Sequence, residues 1–352
     1  MKYPEIFTLS AASSLLEFDT IIDVRSPAEY AEDHVQGALN CPVLSNEERI
    51  VVGTMYKQIG SFEAKRLGAA LVAANIARHL QAQFQDKPKN WRPLIYCWRG
   101  GNRSGSMAHI FAQIGWPVAQ LHGGYKSYRH LVNQELSELA DGIAWRVLCG
   151  PTGSGKSRLL QALAQSGAQV LDLEQLAHHR GSVLGSIPDQ PQPSQKMFES
   201  RIWMLLQGFD KKRPVFVEAE SKKVGNLRVP EKIMEGMRAA ACVRVDLSED
   251  RRVQLLIQDY KHFAQQPEQL NRQLDYLTEL HGKQTIAQWK ALADSGQISE
   301  LVLQLLKRHY DPAYHKSINN NFSQYAGAAV VTLEDISNTA FIDAARTLAA
   351  RD

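Results

Sequence analysis

The sequence predicts an α/β protein of two domains, each a parallel sheet with helices on its faces. Short apolar runs alternate with helical stretches along most of the 352 residues, the pattern that builds parallel sheets. Twice, at residues 97–104 and 150–157, an apolar run meets a glycine-rich turn just ahead of a helical pattern. The length suffices for two cores, and a hydrophobic share of 44% with 22% charged residues is ordinary for a globular chain.

The elements follow in order. Residues 20–24 read as a strand and 27–32 as a short helix with Pro27 in its first turn. Residues 34–40 make a turn into the next strand. Residues 61–84 read as a helix with Leu67, Leu71, Ile76 and Leu80 on one face. A strand at 94–96 leads into the first glycine-rich turn and a helix from 104 to 114, with Ser104 placed as its N-cap. A strand at 118–121 ends at Gly123 and Gly124, and 125–139 read as a connecting helix. The boundary falls near Asp141 and Gly142, giving domains 1–138 and 139–352. The second series opens with a strand at 143–149 that runs straight into the second turn. Further strands are expected at 169–171, 214–217, 241–245 and 328–332. Residues 181–194, rich in Pro, Gly and Ser, read as a mobile loop, and 250–308 as mostly helical.

No apolar stretch approaches the roughly 20 residues that a bilayer span needs, and the first residues lack the pattern of a signal peptide. Cys41, Cys97, Cys149 and Cys242 form neither C-x-x-C pairs nor a disulfide framework, which suits a reducing, cytoplasmic location. A net charge of +3 neither demands nor forbids a nucleic-acid partner, because a local patch decides that.

The turn Cys97-Trp98-Arg99-Gly100-Gly101-Asn102-Arg103-Ser104 holds a lone cysteine ahead of a helix start. Backbone N–H groups there, the helix's positive end, and Arg99 and Arg103 favour negative charge, so a lowered thiol pKa is expected. A persulfide or perselenide, anionic at its outer atom, fits the same cradle. The catalytic candidates are Cys97, Arg99, Gly100 and Arg103. Alone, such a cysteine reads more simply as a packed residue ending a strand; the surrounding C-x-x-G-G-x-R-S favours chemistry.

Residues 150–157 satisfy G-x-x-x-x-G-K-[ST] between an expected strand and helix, the context this phosphate loop requires. Gly150, Gly153, Ser154, Gly155, Lys156 and Ser157 are the diphosphate-binding candidates, with Ser157 placed to hold Mg²⁺. The loop reads a diphosphate, not the group attached to it, and no guanine-reading Asn-Lys-x-Asp is present. Asp172, Glu174 and Glu218 compete for the magnesium side; each reads equally well as a solvated, helix-capping carboxylate. His179 and Arg180, with Lys222 and Lys223, are candidates for RNA or phosphate contact, against the plainer reading of a surface turn and solvated charge runs. Adjacent His178 and His179 lack metal-ligand spacing, so no zinc is expected.

Asp23-Val24-Arg25, His34-x-x-Gly37-Ala38, the Cys97 loop and Leu121-x-Gly123-Gly124-Tyr125 fall in the order of the rhodanese family, which residues 1–135 resemble. Asp23 and His34 read as turn anchors. The resemblance implies a cysteine that carries sulfur or selenium; related phosphatases have a loop one residue longer. The whole chain resembles the bacterial tRNA 2-selenouridine synthases through the Cys97 loop with its Trp98, residues 150–157, Leu173-Glu174-x-Leu176-Ala177-x-His179-Arg180-Gly181-Ser182 and Glu218-Ala219-Glu220-Ser221. Asn102 stands where Met is commoner in that family.

That resemblance implies a rhodanese-like domain followed by a P-loop NTPase-like α/β domain with helical additions. It further implies replacement of sulfur by selenium at wobble 2-thiouridine of tRNA, through an S-geranyl intermediate. Geranyl diphosphate and selenophosphate are the implied co-substrates, with Mg²⁺ as a possible cofactor. The implied partners are the tRNA and an enzyme supplying selenophosphate, with no membrane. The alternatives are a sulfurtransferase coupled to an ATP-dependent kinase or ligase, a nonenzymatic RNA-binding module, and a phosphatase. Geranyl transfer predicts an apolar pocket beside the phosphate loop; a kinase predicts a base-and-ribose site there.

Overall fold

The computed structural model describes residues 3–182, 184–261, 263 and 267–350. The chain forms two compact units: Met1–Glu138 with Pro193–Gln207, and Leu139–Gln192 with Gly208–Asp352. Among the described residues, no helix is long and apolar enough to cross a membrane.

The first unit is a five-stranded parallel sheet of β1 (Glu5–Phe7), β2 (Thr20–Asp23), β3 (Leu39–Asn40), β4 (Pro93–Tyr96) and β5 (Ala119–Leu121). The spatial order is β1-β5-β4-β2-β3, so β4 is central and its C-terminal end is flanked on both sides. Helix α1 (Pro27–Glu32) starts where its proline and the Ser26–Glu29 capping box place it. Helix α2 (Asn46–Gln58) escaped the sequence reading. Its start is a second capping box, in which the Glu48 N–H donates to Ser45 Oγ at 3.2 Å and the Ser45 N–H to Glu48 Oε2 at 2.8 Å. Helices α3 (Ser61–Gln83), α4 (Asn102–Ile114) and α5 (Tyr125–Ala140) lie where helical patterns were read. The core includes a ring cluster in which Trp91 lies 5.3 Å from Phe84 and 5.0 Å from Trp116. Such stacked and edge-on aromatic contacts add to plain area burial.

The second unit opens with β6 (Trp145–Cys149), the phosphate loop and α6 (Lys156–Gln165), then β7 (Gln169–Leu171) and α7 (Leu173–Ala177). The next helix, α8 (Gln195–Gln207), belongs to the first unit. The second unit resumes with β8 (Val215–Glu218), the hairpin β9 (Lys223–Val224) and β10 (Leu227–Arg228), α9 (Glu231–Ala239) and β11 (Ala241–Leu247). Its parallel sheet ends with β12 (Ala329–Leu333) and has the order β12-β11-β6-β8-β7. The strand feeding the phosphate loop is therefore central, with β8 beside it. Between β11 and β12 lies a helical addition: α10 (Glu249–Asp259), α11 (Pro267–Asp275), α12 (Thr278–Asp294), α13 (Ile298–Leu305), a π-turn at Leu306–Tyr310 and α14 (Asp311–Asn321). Fully buried Trp289 lies within its own apolar core. Helix α15 (Asn338–Ala349) closes the chain and packs on α6.

Helix α8 is tied into the first unit by polar as well as apolar contacts. Fully buried Trp203 donates to Glu135 Oε2 at 2.9 Å and meets the Tyr128 ring edge-on at 5.6 Å. Ser200 donates to Asp33 Oδ2 at 3.0 Å, and Arg129 pairs with Glu199. Trp203→Ala removes a large buried ring, which costs about 3–5 kcal/mol. Hydrogen exchange should show the loss of protection in residues 3–138; a loss confined to residues after 208 would refute this placement of α8.

Candidate functional site

Cys97 follows β4 directly and is buried, with 3% of its surface exposed. The turn beyond it is held from two sides. On one side Gly124, at φ +60°, approaches so closely that a Cβ would stand 2.4 Å from the Cys97 carbonyl oxygen. The Tyr125 N–H then donates to the Cys97 carbonyl at 2.8 Å, and the Lys126 N–H to that of Trp98 at 3.1 Å. On the other side Gln120 donates to Gly101 O at 2.9 Å and to Ser104 Oγ at 3.0 Å, and Ser104 donates to Cys97 Sγ at 3.3 Å. Ser104 is thus not the N-cap expected from sequence. The helix starts two residues earlier, capped by left-handed Gly101, because that backbone reversal brings the hydroxyl under the sulfur. Gln120 had one signal in the sequence, an amide within an otherwise apolar strand.

Arg99 and Gly100 are exposed at the tip of the turn. Arg103 is engaged instead: its guanidinium donates to Glu29 at 2.7 and 3.3 Å. Burial alone would raise the Glu29 carboxyl, but the Arg103 hydrogen bond and charge overcome it and hold it at about 2. Asp23 grips buried Arg25 at 2.6 Å, and that guanidinium lies 4.1 Å above the Tyr125 ring. His34 stacks on Tyr30 at 3.7 Å, its Nδ1 lying 2.9 Å from the Tyr30 carbonyl oxygen. Both act as anchors beneath the turn.

In the second unit, the loop after β6 needs its glycines. Gly153 and Gly155 have φ of +78° and +87°, and side chains there would stand 2.9 Å from Leu256 and 2.7 Å from Phe341. The Lys156 ammonium donates to Gly150 O at 2.8 Å, and Ser154 is wholly buried. Arg252 braces the loop, donating to Thr152 O at 2.9 and 2.8 Å while Asp311 holds it at 3.0 and 2.5 Å. Nothing local in the sequence singled out this brace, whose two ends are 59 residues apart.

Beside Ser157 stand three carboxylates. Glu218 ends β8, Glu220 lies two residues on, and Glu174 sits in the first turn of α7; oxygens of all three lie within 4.8 Å of one another. Burial, then the charge of Glu174, pushes Glu218 up to about 8. Burial and Glu218 push Glu220 up to about 7, and Glu174 is raised too by burial and Glu220, while Lys156 opposes all three shifts. Glu218 Oε1 is buried without a hydrogen-bond partner. An all-oxygen donor set with an unpaired buried oxygen, 3.4 Å from hydroxyl to carboxylate at Ser157–Glu174, fits a hard divalent cation such as Mg²⁺. Asp172 caps α7 through the Gln175 N–H at 2.8 Å; Glu220, unremarked as a magnesium-side group, completes the trio.

A cleft of about 640 Å³ surrounds these groups, lined by the phosphate loop, the trio, His179 and Arg180. His179 is buried with Nδ1 unpartnered, and burial lowers its pKa. Arg180 donates to Asp259 O at 2.6 Å and lies 4.6 Å over the Tyr260 ring. Lys222 and Lys223 are exposed by the β9–β10 hairpin and do not line the cleft.

Fold and turns define a rhodanese-like domain joined to a P-loop domain: residues 8–131 match the rhodanese-like domain family, and 143–277 match the tRNA 2-selenouridine synthase AAA domain. A tRNA 2-selenouridine synthase of Nitrosomonas europaea is 34% identical over 74% of this chain and 68% of its own. One of Sulfurovum sp. is 31% identical over 89% and 92%, and one of Shewanella denitrificans 33% over 86% and 89%. The chain belongs to the tRNA 2-selenouridine synthase family.

Two outcomes follow. The Glu218 and Glu220 carboxyls titrate above their unfolded values, so their share of stability is complete below about pH 4 and is lost as the pH climbs through about 7 to 8. A bound cation offsets that loss. Added Mg²⁺ should therefore raise the melting temperature more at about pH 8.5 than at about pH 6; an equal or reversed increment would exclude the trio as a cation site. Arg103→Ala leaves the buried Glu29 carboxylate with half-exposed Arg49, 3.0 Å away, as its remaining cationic partner and should cost about 1–3 kcal/mol, read by urea unfolding. Glu29→Gln in the same chain should restore part of it, and no recovery would mean the pair contributes nothing.

Proposed function

We propose that this chain replaces the sulfur of wobble 2-thiouridine in tRNA with selenium, by way of an S-geranyl intermediate. The observation that supports the geranyl step is an apolar recess opening off the phosphate-loop cleft, lined by Leu256, Leu301 and Leu305 among others. A nucleotide's base and ribose ask for polar partners there; an isoprenoid tail asks for none.

The chemistry gives each turn a task. A thiocarbonyl sulfur leaves poorly, and alkylation turns it into a thiolate leaving group. In the first step the sulfur attacks C1 of geranyl diphosphate, the C1–O bond breaks towards the diphosphate, and the base loses its N3 proton. The phosphate loop N–H groups and Lys156 bind the diphosphate and take up charge as it departs. Ser157 and the trio of Glu174, Glu218 and Glu220 are the groups that would hold Mg²⁺, which supplies further charge neutralisation when bound. In the second step the selenium of selenophosphate, delivered by a separate supplying enzyme, attacks C2 of the base and the C2–S bond breaks to geranylthiolate; water then cleaves the P–Se bond, releasing phosphate, so selenium stays at the selenide level throughout. Cys97 lies at the floor of the turn that holds this selenium anion, with the Ser104 hydroxyl and the α4 N-terminus stabilising its negative charge. Arg99 and Gly100 shape the exposed mouth of that turn, and His179 and Arg180 face phosphate or RNA.

Mass spectrometry of nucleosides from 2-thiouridine tRNA tests this directly. Geranyl diphosphate alone should give the geranylated base, and selenophosphate should then convert it. Lys156→Ala should lower geranylation about 10²–10³-fold, while Cys97→Ser should keep geranylation and lose selenation. Unchanged base with folded protein and intact tRNA would overturn the reading, and ATP hydrolysis dependent on Lys156 would favour the kinase-coupled sulfurtransferase.

A further inference from the structure

The apolar recess shares its mouth with the phosphate-loop cleft. Thr152, Ser182, Leu256, Tyr260 and Tyr310 line both the recess and the phosphate-loop cleft, so they form the mouth. Leu270 of α11 and Leu301 of α13 line the recess and not the cleft and are 5% and 1% exposed, so they belong to its inner wall. No charged side chain lines the recess among the described residues. The π-turn at Leu306–Tyr310 inserts the bulge that carries Tyr310 to the mouth while Leu305 and Leu306 stay in the wall.

Size decides what the recess accepts. It holds about 70 Å³, against about 640 Å³ for the cleft. An apolar cavity of about 150 Å³ takes a benzene ring, so this recess admits the branched end of a chain and not a whole isoprenoid. The remainder of a tail must lie in the cleft, along Leu255, Leu256 and Tyr310, with its diphosphate on residues 150–157. Beyond the hydroxyl-bearing residues at its mouth the recess wall is apolar, and each methylene buried there strengthens binding roughly fourfold.

We propose that the recess gauges isoprenoid length: it seats the terminal branched group of the diphosphate's tail, and Leu270 with Leu301 stops any longer tail. This rests on the reading that the phosphate loop takes an allylic diphosphate. A tail one isoprene unit longer strikes the two leucines before its diphosphate reaches Lys156. A tail one unit shorter leaves the recess empty and forfeits that contact.

The test is competition. Full-length protein and 2-thiouridine tRNA are given equal dimethylallyl, geranyl and farnesyl diphosphates, and the prenylated bases are counted by mass spectrometry. Wild-type protein should favour geranyl. Leu301→Ala should raise the farnesyl-to-geranyl ratio at least about tenfold. Val302→Phe, in the half-buried recess wall, should shift products towards dimethylallyl and keeps the proposal testable if Leu301→Ala fails to fold. Wild-type amide-exchange protection over residues 267–321 shows that each variant is folded where it was changed. Product ratios unchanged in folded variants overturn the length gauge while leaving geranyl transfer intact. A wild-type protein that prenylates with none of the three overturns geranyl transfer, and the gauge with it.

Discussion

Both candidate sites depend on one constraint: the backbone must reverse at the end of a central parallel strand so that a helix begins there, with its unpaired N–H groups next to the strand's end. In the first unit left-handed Gly101 makes that reversal after β4, and in the second Gly153 and Gly155 make it after β6. A side chain at Gly101 would stand 2.8 Å from Gln120 Nε2, and one at Gly155 would stand 2.7 Å from the Phe341 ring. The same packing that forbids a Cβ therefore fixes the turn. Parallel order places these turns at the open ends of the two sheets, where ligands of α/β folds gather.

The two turns differ in how they treat charge. Around Cys97 two ion pairs are drawn in, Arg25 with Asp23 and Arg103 with Glu29, leaving exposed Arg99, the helix end and the Ser104 hydroxyl on the turn that holds the sulfur. Around the phosphate loop the balance is left open. Three crowded carboxylates stand against one lysine, and burial raises all three. Such a cluster is strained towards protonation near neutrality unless a cation joins it, and a diphosphate arriving alone would add to the repulsion. Anion and cation are thus expected to bind with mutual assistance.

Much of this was legible in the sequence. The alternation of strands and helices, the strand–turn–helix context of both turns, and the identities of Cys97 and Lys156 needed only local pattern. What escaped was nonlocal. Glu220 lies on no periodic element, and it reaches Glu174 only because β7 and β8 are neighbours in the sheet. Arg252 and Asp311 brace Thr152 from opposite ends of the helical addition. Helix α8 reads as part of the domain whose sequence surrounds it, yet its buried Trp203 and Ser200 meet partners more than 60 residues away in the first unit. Ser104 was misread for a different reason: a serine at a helix start usually caps it, and here the left-handed glycine took that position.

The helical addition between β11 and β12 is what separates this phosphate loop from a generic one. A loop of this kind presents backbone N–H groups and one ammonium, which suit any diphosphate. Selectivity must come from what receives the attached group. Leu270, Leu301 and Leu305 come from helices inserted after the fourth strand of the sheet and belong to a core of their own around Trp289, so their positions answer to helix packing and not to the sheet. Tyr310 links the two, since the helix that follows it begins with Asp311, which also holds Arg252 against the loop. A change in the packing of the addition therefore reaches the phosphate loop through the Arg252–Asp311 pair and through Leu256 against Gly153. On the function proposed above, a loop of general use thus acquires a wall suited to an amphiphile, charged at one end and apolar at the other.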